Sequence, residues 1–284
     1  MGHRLSDLLH GRPRLQAGGL LAAPMGWLVI GYLGSLAVLL VAAFWQVGAV
    51  SGEVVRGFSL ENFKTLVDEP VYRSIAGRTI LIAALVTLTD AVLAFPIAFY
   101  MAKIASRRAK ALLVVAVVMP LWSSYLVKVY AWRTMLSAGG VLNWALDPFG
   151  AAGPGYGNLA VWLVMSYLWL PYMIIPIFAG LERIPNSLLS ASEDLGASPM
   201  TTFRRVILPL AFPAVIAGSI FTFSLTLGDY ITPRLVSNNQ FIGNVVFSNV
   251  TTNLPLASAF ATVPIVVMVA YLLIARRLGA FEHL

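Results

Sequence analysis

Six apolar runs, each near the length of a bilayer crossing, leave this chain few folds to choose from. They cover residues 27–45, 79–102, 111–127, 157–181, 206–228 and 255–275. A helix needs about 20 residues to cross the hydrocarbon core. Of all residues 59% are hydrophobic and 11% charged, the balance of a polytopic membrane protein. Backbone groups in lipid must be satisfied within the segment, so the runs are read as helices. The expected fold is all-α with six transmembrane helices. The third run is short between Lys110 and Lys128; it extends through Tyr130 and Trp132 if Lys128 snorkels or faces a wet cavity.

Lys and Arg set the orientation. With the N-terminus inside, twelve of them fall on the inner side, among them Lys103, Arg107, Arg108, Lys110, Arg183, Arg204 and Arg205. Seven fall outside: Arg56, Lys64, Arg73, Arg78, Lys128, Arg133 and Arg234. Both termini are therefore expected in the cytoplasm. The net charge of +7 is mostly cytoplasmic, as anionic lipid favours, and does not point to nucleic acid. The apolar run at 27–45 is too long for a signal peptide and no cleavage site closely follows it, so it reads as an uncleaved anchor.

Several chemistries lack their motifs. There is no Gly-x-x-x-x-Gly-Lys-Ser/Thr phosphate loop, so the chain is not its own ATPase in the usual way. His3, His10 and His283 all lie in the tails, and there are no cysteines. No metal-binding or nucleophilic cluster is visible, and no internal repeat. The expected layout is a tail over 1–20 and one membrane domain over 21–284.

Residues 184–209 form a polar island among the apolar runs. Pro185 and Asn186 suit a helix start. Leu188, Ala191, Ser192 and Leu195 follow i, i+3, i+4, i+7 spacing, so small and apolar groups share a face. Gly196 suits the residue after a helix end, and Ser198-Pro199 an N-cap with a first-turn proline. The expectation is a short helix, a sharp break, and a second helix entering the membrane. The plain alternative is an amphipathic interfacial helix.

With Ser190, Ala191, Ser192, Gly196, Val206, Leu208 and Pro209 in register, the island resembles the cytoplasmic Glu-Ala-Ala loop of ABC-importer permeases. Ser190 stands where that family has Glu, and Ser192 where it has its second Ala; Glu193 and Asp194 keep acid nearby at another helical angle. The resemblance implies a type I ABC importer permease fold in the bacterial inner membrane. It implies that Leu188, Ser190, Ala191, Ser192, Glu193, Leu195, Gly196, Leu208 and Pro209 serve coupling to an ATPase. The implied partners are ABC ATPase subunits, commonly two copies, which bind the ATP. A second permease and a periplasmic or lipid-anchored solute-binding protein complete the set. No cofactor is expected in this chain.

Candidate pathway residues are acids and aromatics. Asp90 is the only acid well inside an apolar run, where a charge costs about 2.5–3.5 kcal/mol or more unless paired or wet. It either serves function or pairs structurally, with Thr87, Thr89, Lys128 or Arg133 as candidate partners. Asp229 and Tyr230 close the fifth run in Leu-Gly-Asp-Tyr-Ile-Thr-Pro, where an acid beside a ring suits a cation; a plain helix cap is the alternative. Trp122, Tyr125, Trp169 and Tyr172 stand out among many aromatics, most of which suit an interfacial belt. Pro171 and Pro176 loosen the fourth run, making it a plausible pore-liner.

Met119–Arg133, Gly139–Asn143 and Ile242-Gly-Asn244 resemble the spermidine/putrescine type of permease. That resemblance implies a polyamine as solute. Iron, sulfate, thiamine and opine permeases share relatives of these strings. Two alternatives from other classes remain: a stand-alone carrier, which would need coupling sites of its own, and a membrane enzyme, which would need a catalytic cluster.

Overall fold

The structure is a computed structural model that describes residues 13–48 and 52–277. Among these residues five helices are long and apolar enough to cross a membrane, and one bent pair brings the number to six if it is counted as one span. The first span is Leu20–Ala42, the second Pro70–Ile104, the fourth Asn158–Arg183, the fifth Pro199–Gly228 and the sixth Leu254–Arg277. The all-α expectation holds, apart from one antiparallel strand pair, Gln46–Val47 with Val54–Val55. Of the expected 1–20 tail, residues 1–12 lie outside the described residues, and a helix already begins at Pro13.

Most helices outrun the apolar runs that announced them, while the first span starts earlier, at Leu20, and stops at Ala42, short of residue 45. The second span starts at Pro70, whose fixed φ and missing N–H suit a first helical position. Arg73 and Arg78 therefore lie within the helix, and Arg78 donates to the Gln240 carbonyl at 3.1 Å.

The third crossing corrects the sequence expectation of one helix over 111–127. It consists of Arg107–Trp122 and Tyr125–Leu136, bent by 90° at the break. Ser123 and Ser124 are extended between them. Such residues offer the backbone side-chain partners in place of helical ones. Here the Ser123 hydroxyl donates to the Pro120 carbonyl at 2.8 Å, and Lys128 Nζ donates to the same carbonyl at 3.0 Å. Lys128 thus turns back to close the bend.

The second, fourth and fifth spans form the centre. Ala94 and Ala98, Met173 and Ile177, and Ile207 and Ala211 share one apolar cluster. A Cβ added at Gly180 would collide with the Ala214 side chain, and one at Gly218 would lie 2.7 Å from Met173 Sδ. Small residues let the fourth and fifth spans approach closely, as membrane helices commonly do. The first span is peripheral: 6% of its apolar window is buried. Its end is tied by Asn62, which donates to the Ala43 and Trp45 carbonyls at 3.1 and 2.8 Å.

Candidate functional site

Two regions carry the residues singled out above, one at each end of the central spans. The first is the 184–209 loop. A helix runs over Asn186–Asp194, preceded by extended Pro185. Gly196 adopts φ +77°, a conformation that costs an L side chain roughly 1–2 kcal/mol. The Gly196 N–H donates to the Glu193 carbonyl at 2.8 Å, and the Ala197 N–H to Ser192 at 3.0 Å. These are the paired bonds of a Schellman stop. Ser198 accepts from the Thr201 N–H at 3.3 Å and Pro199 follows in the first turn. A π-helical turn, Phe203–Ile207, then leads into the helix beginning at Leu208 and Pro209, both exposed.

The expected single face splits in two. Leu188, Ala191 and Leu195 are exposed with Ser190 and Glu193, and Leu195 reaches 88%. Ser192 turns inward beside Leu189, and its hydroxyl shares a 2.8 Å hydrogen bond with Thr202. That bond joins the two helices of the loop at a position where the resembled family has alanine.

The second region is a cavity of about 360 Å³ lined by Tyr125, Trp169, Ser224, Gly228, Asp229 and Tyr230. Four of the expected pathway residues therefore meet, drawn from the third, fourth and fifth spans. Asp229 Oδ2 accepts from Tyr125 at 2.5 Å and from Thr232 Oγ1 at 2.6 Å. Its Oδ1 accepts from the Ile231 and Thr232 N–H groups at 2.8 and 3.3 Å. The carboxylate thus caps the short helix Ile231–Val236 while facing the cavity. Tyr125 stacks on Trp169 with centroids 5.9 Å apart, and Tyr172 meets Trp169 edge-on at 6.0 Å. Trp169 Nε1 is buried without a hydrogen-bond partner. One face of Tyr230 is taken by Phe247, at 4.5 Å.

Two expected residues stand apart. Trp122 is 87% exposed at the bend of the third crossing. Asp90 is 0% exposed, sealed between the second and fourth spans opposite Ser166. Both its oxygens, and Ser166 Oγ, lack hydrogen-bond partners. The pairings considered for it do not form. Thr87 donates to the Ala83 carbonyl, Thr89 accepts from Trp162 Nε1, and Lys128 serves Pro120. A salt bridge forms elsewhere, between Lys110 and Glu182.

Sequence reasoning missed Thr232, although its place three residues after Asp229 is a capping signal. It also missed Ser166 and Ser224, which have no local signature, and Lys103, which was counted only as a topological charge. Lys103 Nζ donates to the Ile184 carbonyl at 2.7 Å and reaches Asn186 Oδ1 at 3.4 Å.

Known proteins resemble this chain in sequence and in fold. The family model described as "Binding-protein-dependent transport system inner membrane component" matches residues 74–280. The inner membrane ABC transporter permease protein YdcU of Escherichia coli (strain K12) is 45% identical over 283 residues, covering 93% of this chain and 90% of that protein. The spermidine/putrescine transport system permease protein PotB of the same strain is 31% identical over 229 residues, covering 78% and 82%. The fold matches a chain of a bacterial ABC transporter involved in alginate import, with TM-score 0.71 at 18% identity, over 96% of this chain and 99% of that one. A second alginate transporter structure, in complex with its oligosaccharide-bound periplasmic protein, matches with TM-score 0.73 at 17% identity, over 97% of each chain. This chain belongs to the family of binding-protein-dependent transport system inner membrane components, and is a permease subunit of an ABC importer.

Proposed function

We propose that this permease forms half of a translocation pathway for a polyamine such as spermidine or putrescine. The observation that carries the reading is the cavity where the Asp229 carboxylate meets Tyr125, Trp169 and Tyr230. A solute with two or three ammonium groups leaving water needs fixed negative charge and ring faces, and each ring contributes about 0.5–2 kcal/mol. The permeases named for spermidine and putrescine support the same solute. Binding stays weak because the carboxylate is already shared among four donors, and a conducting site must release what it takes up.

In this reading the 184–209 loop is the cytoplasmic handle. Leu188, Ala191 and Leu195 offer apolar contact to an ATPase, with Ser190 and Glu193 beside them. Ser192, Gly196, Leu208 and Pro209 shape the support behind. Two ATPase subunits bind the ATP, and this chain contributes no nucleotide site or cofactor. A second permease completes the pathway, and a periplasmic or lipid-anchored protein delivers the solute. The protein resides in the bacterial cytoplasmic membrane with both termini inside.

The test is uptake by the assembled importer: this chain, its ATPase, partner permease and binding protein, in cells lacking other polyamine importers. Energy-dependent accumulation of labelled spermidine or putrescine is the expected result. Accumulation of sulfate, thiamine, iron or an opine without polyamine would overturn the solute assignment.

A further inference from the structure

The 184–209 loop is joined covalently to the fourth and fifth spans. The second span has no such joint, since Lys103 and Ile184 lie 81 residues apart. The second span meets the far part of the loop by apolar contact, Phe95 lying edge-on to Phe203 at 5.6 Å, and reaches the start of the loop helix through the Lys103 side chain. Lys103 stands in a π-helical turn, Tyr100–Ile104, that ends the second span. Its ammonium takes the Ile184 carbonyl at 2.7 Å, on one side of Pro185, and Asn186 Oδ1 at 3.4 Å, on the other.

These two acceptors straddle the hinge. Ile184 and Pro185 are both extended, with ψ 117° and 138°, and separate the fourth span from the loop helix. Ile184 is buried in the same apolar cluster as Met101 of the second span. Its carbonyl is at a helix end, where no further turn supplies a donor. A charged donor makes the stronger kind of hydrogen bond. The chain on either side of the hinge is thus held to the end of the second span.

We propose that Lys103 is a positioning residue for energy coupling. It makes the end of the second span and the first turn of the loop helix move as one body. A displacement of the loop is then delivered to the span that carries Asp90, as well as to the two spans the loop joins. The inference rests on the reading of 185–198 as the ATPase docking site.

The test compares Lys103→Met and Lys103→Arg in the complete reconstituted importer. Two quantities are read: solute imported per ATP hydrolysed, and the distance distribution between spin labels at Ile104→Cys and Ser187→Cys, both exposed. The chain has no cysteine of its own to interfere. With Lys103→Met the ATPase should still copurify, the distribution should broaden, and the import ratio should fall about fivefold or more, the low end of usual coupling. Lys103→Arg should restore both. A parental import ratio with Lys103→Met would overturn the proposal, as would loss of ATPase assembly or equal impairment by both variants. Failure of the docking reading has a separate signature: a thiol at Leu195→Cys that labels as freely in the assembled importer as in the isolated permease.

Discussion

The Tyr125 hydroxyl donates to the Asp229 carboxylate at 2.5 Å, although 104 residues separate them. The bond runs from the first residue after the break in the third crossing to the residue that ends the fifth span. The Tyr125 hydroxyl, also 2.8 Å from Thr232 Oγ1, therefore helps to tie two interrupted helices together at the mouth of one cavity.

Tyr125→Phe removes that bond and keeps the ring stacked on Trp169. Asp229 retains the Ile231 and Thr232 donors. The expected loss is about 1.5–3 kcal/mol, the range for a hydrogen bond to a charged group. Thermal unfolding in detergent should shift down modestly, and uptake should fall more than stability does. An unchanged melting profile and unchanged uptake would show that the bond is incidental.

Gly243 supports the same mouth from behind. A Cβ there would lie 2.8 Å from the Asp229 carbonyl and 2.9 Å from Tyr230 Cβ. Backbone cannot swing aside as a side-chain tip can, so Gly243→Ala must displace the 229–230 segment. Overpacking of this kind costs about 1–3 kcal/mol. Uptake measured at matched membrane levels should drop, and normal uptake would mean the segment tolerates the shift.

The parts of this fold legible in the sequence are those whose causes are local. Gly196, Ser198 and Pro199 place their stop and start signals within five residues of their partners. The loop is accordingly found where the residues put it. The bend at Ser123–Ser124 was not legible. A Pro-x-x-Ser-Ser stretch is compatible with a mild kink, and the 90° turn is accompanied by Lys128 reaching back to Pro120 and Tyr125 reaching Asp229. Charge misled at the start of the second span. Arg73 and Arg78 interrupt the apolar run, but a helix begun at Pro70 passes through them. The pathway residues were identified by type, since acids and aromatics are rare choices at such depth. Which of them meet depends on contacts more than 40 residues apart in sequence. For that reason Tyr125, Trp169, Asp229 and Tyr230 converge while Trp122 points away.

Gly196→Asp tests the loop. The residue sits at φ +77°, with open space where a Cβ would project. The cost is therefore backbone strain of roughly 1–2 kcal/mol rather than collision, together with a new charge beside the exposed Leu195. The permease should still insert, while ATP-driven uptake falls severely. Normal assembly together with normal uptake would count against the docking role.

Reporter fusions test the orientation. Fusions after Arg108 and after Arg183 should read cytoplasmic, and one near Asp147 should read outside. The 90° break makes this more than a formality. If the bent pair dipped into the membrane and returned, the Asp147 fusion would read on the same side as Arg108.

The last expectation separates the two acids. Asp90 is sealed from solvent with both oxygens unpartnered, whereas Asp229 is fully bonded and faces a cavity. A buried polar group without a hydrogen-bond partner is costly whether it is a carboxyl or an amide. Asp90→Asn should therefore leave stability about unchanged. A loss of uptake in that variant would mark the carboxylate as retained for function against its energetic cost. Asp229→Asn weakens the cap and replaces one acceptor oxygen by a donor that opposes Tyr125 and Thr232. It should lower stability modestly and lower polyamine uptake strongly, because the cavity loses its negative group. Uptake of spermidine and putrescine, beside melting curves for both variants, distinguishes the roles. Parental polyamine import by both variants would make the acids structural, and would leave a neutral or anionic solute as the better assignment.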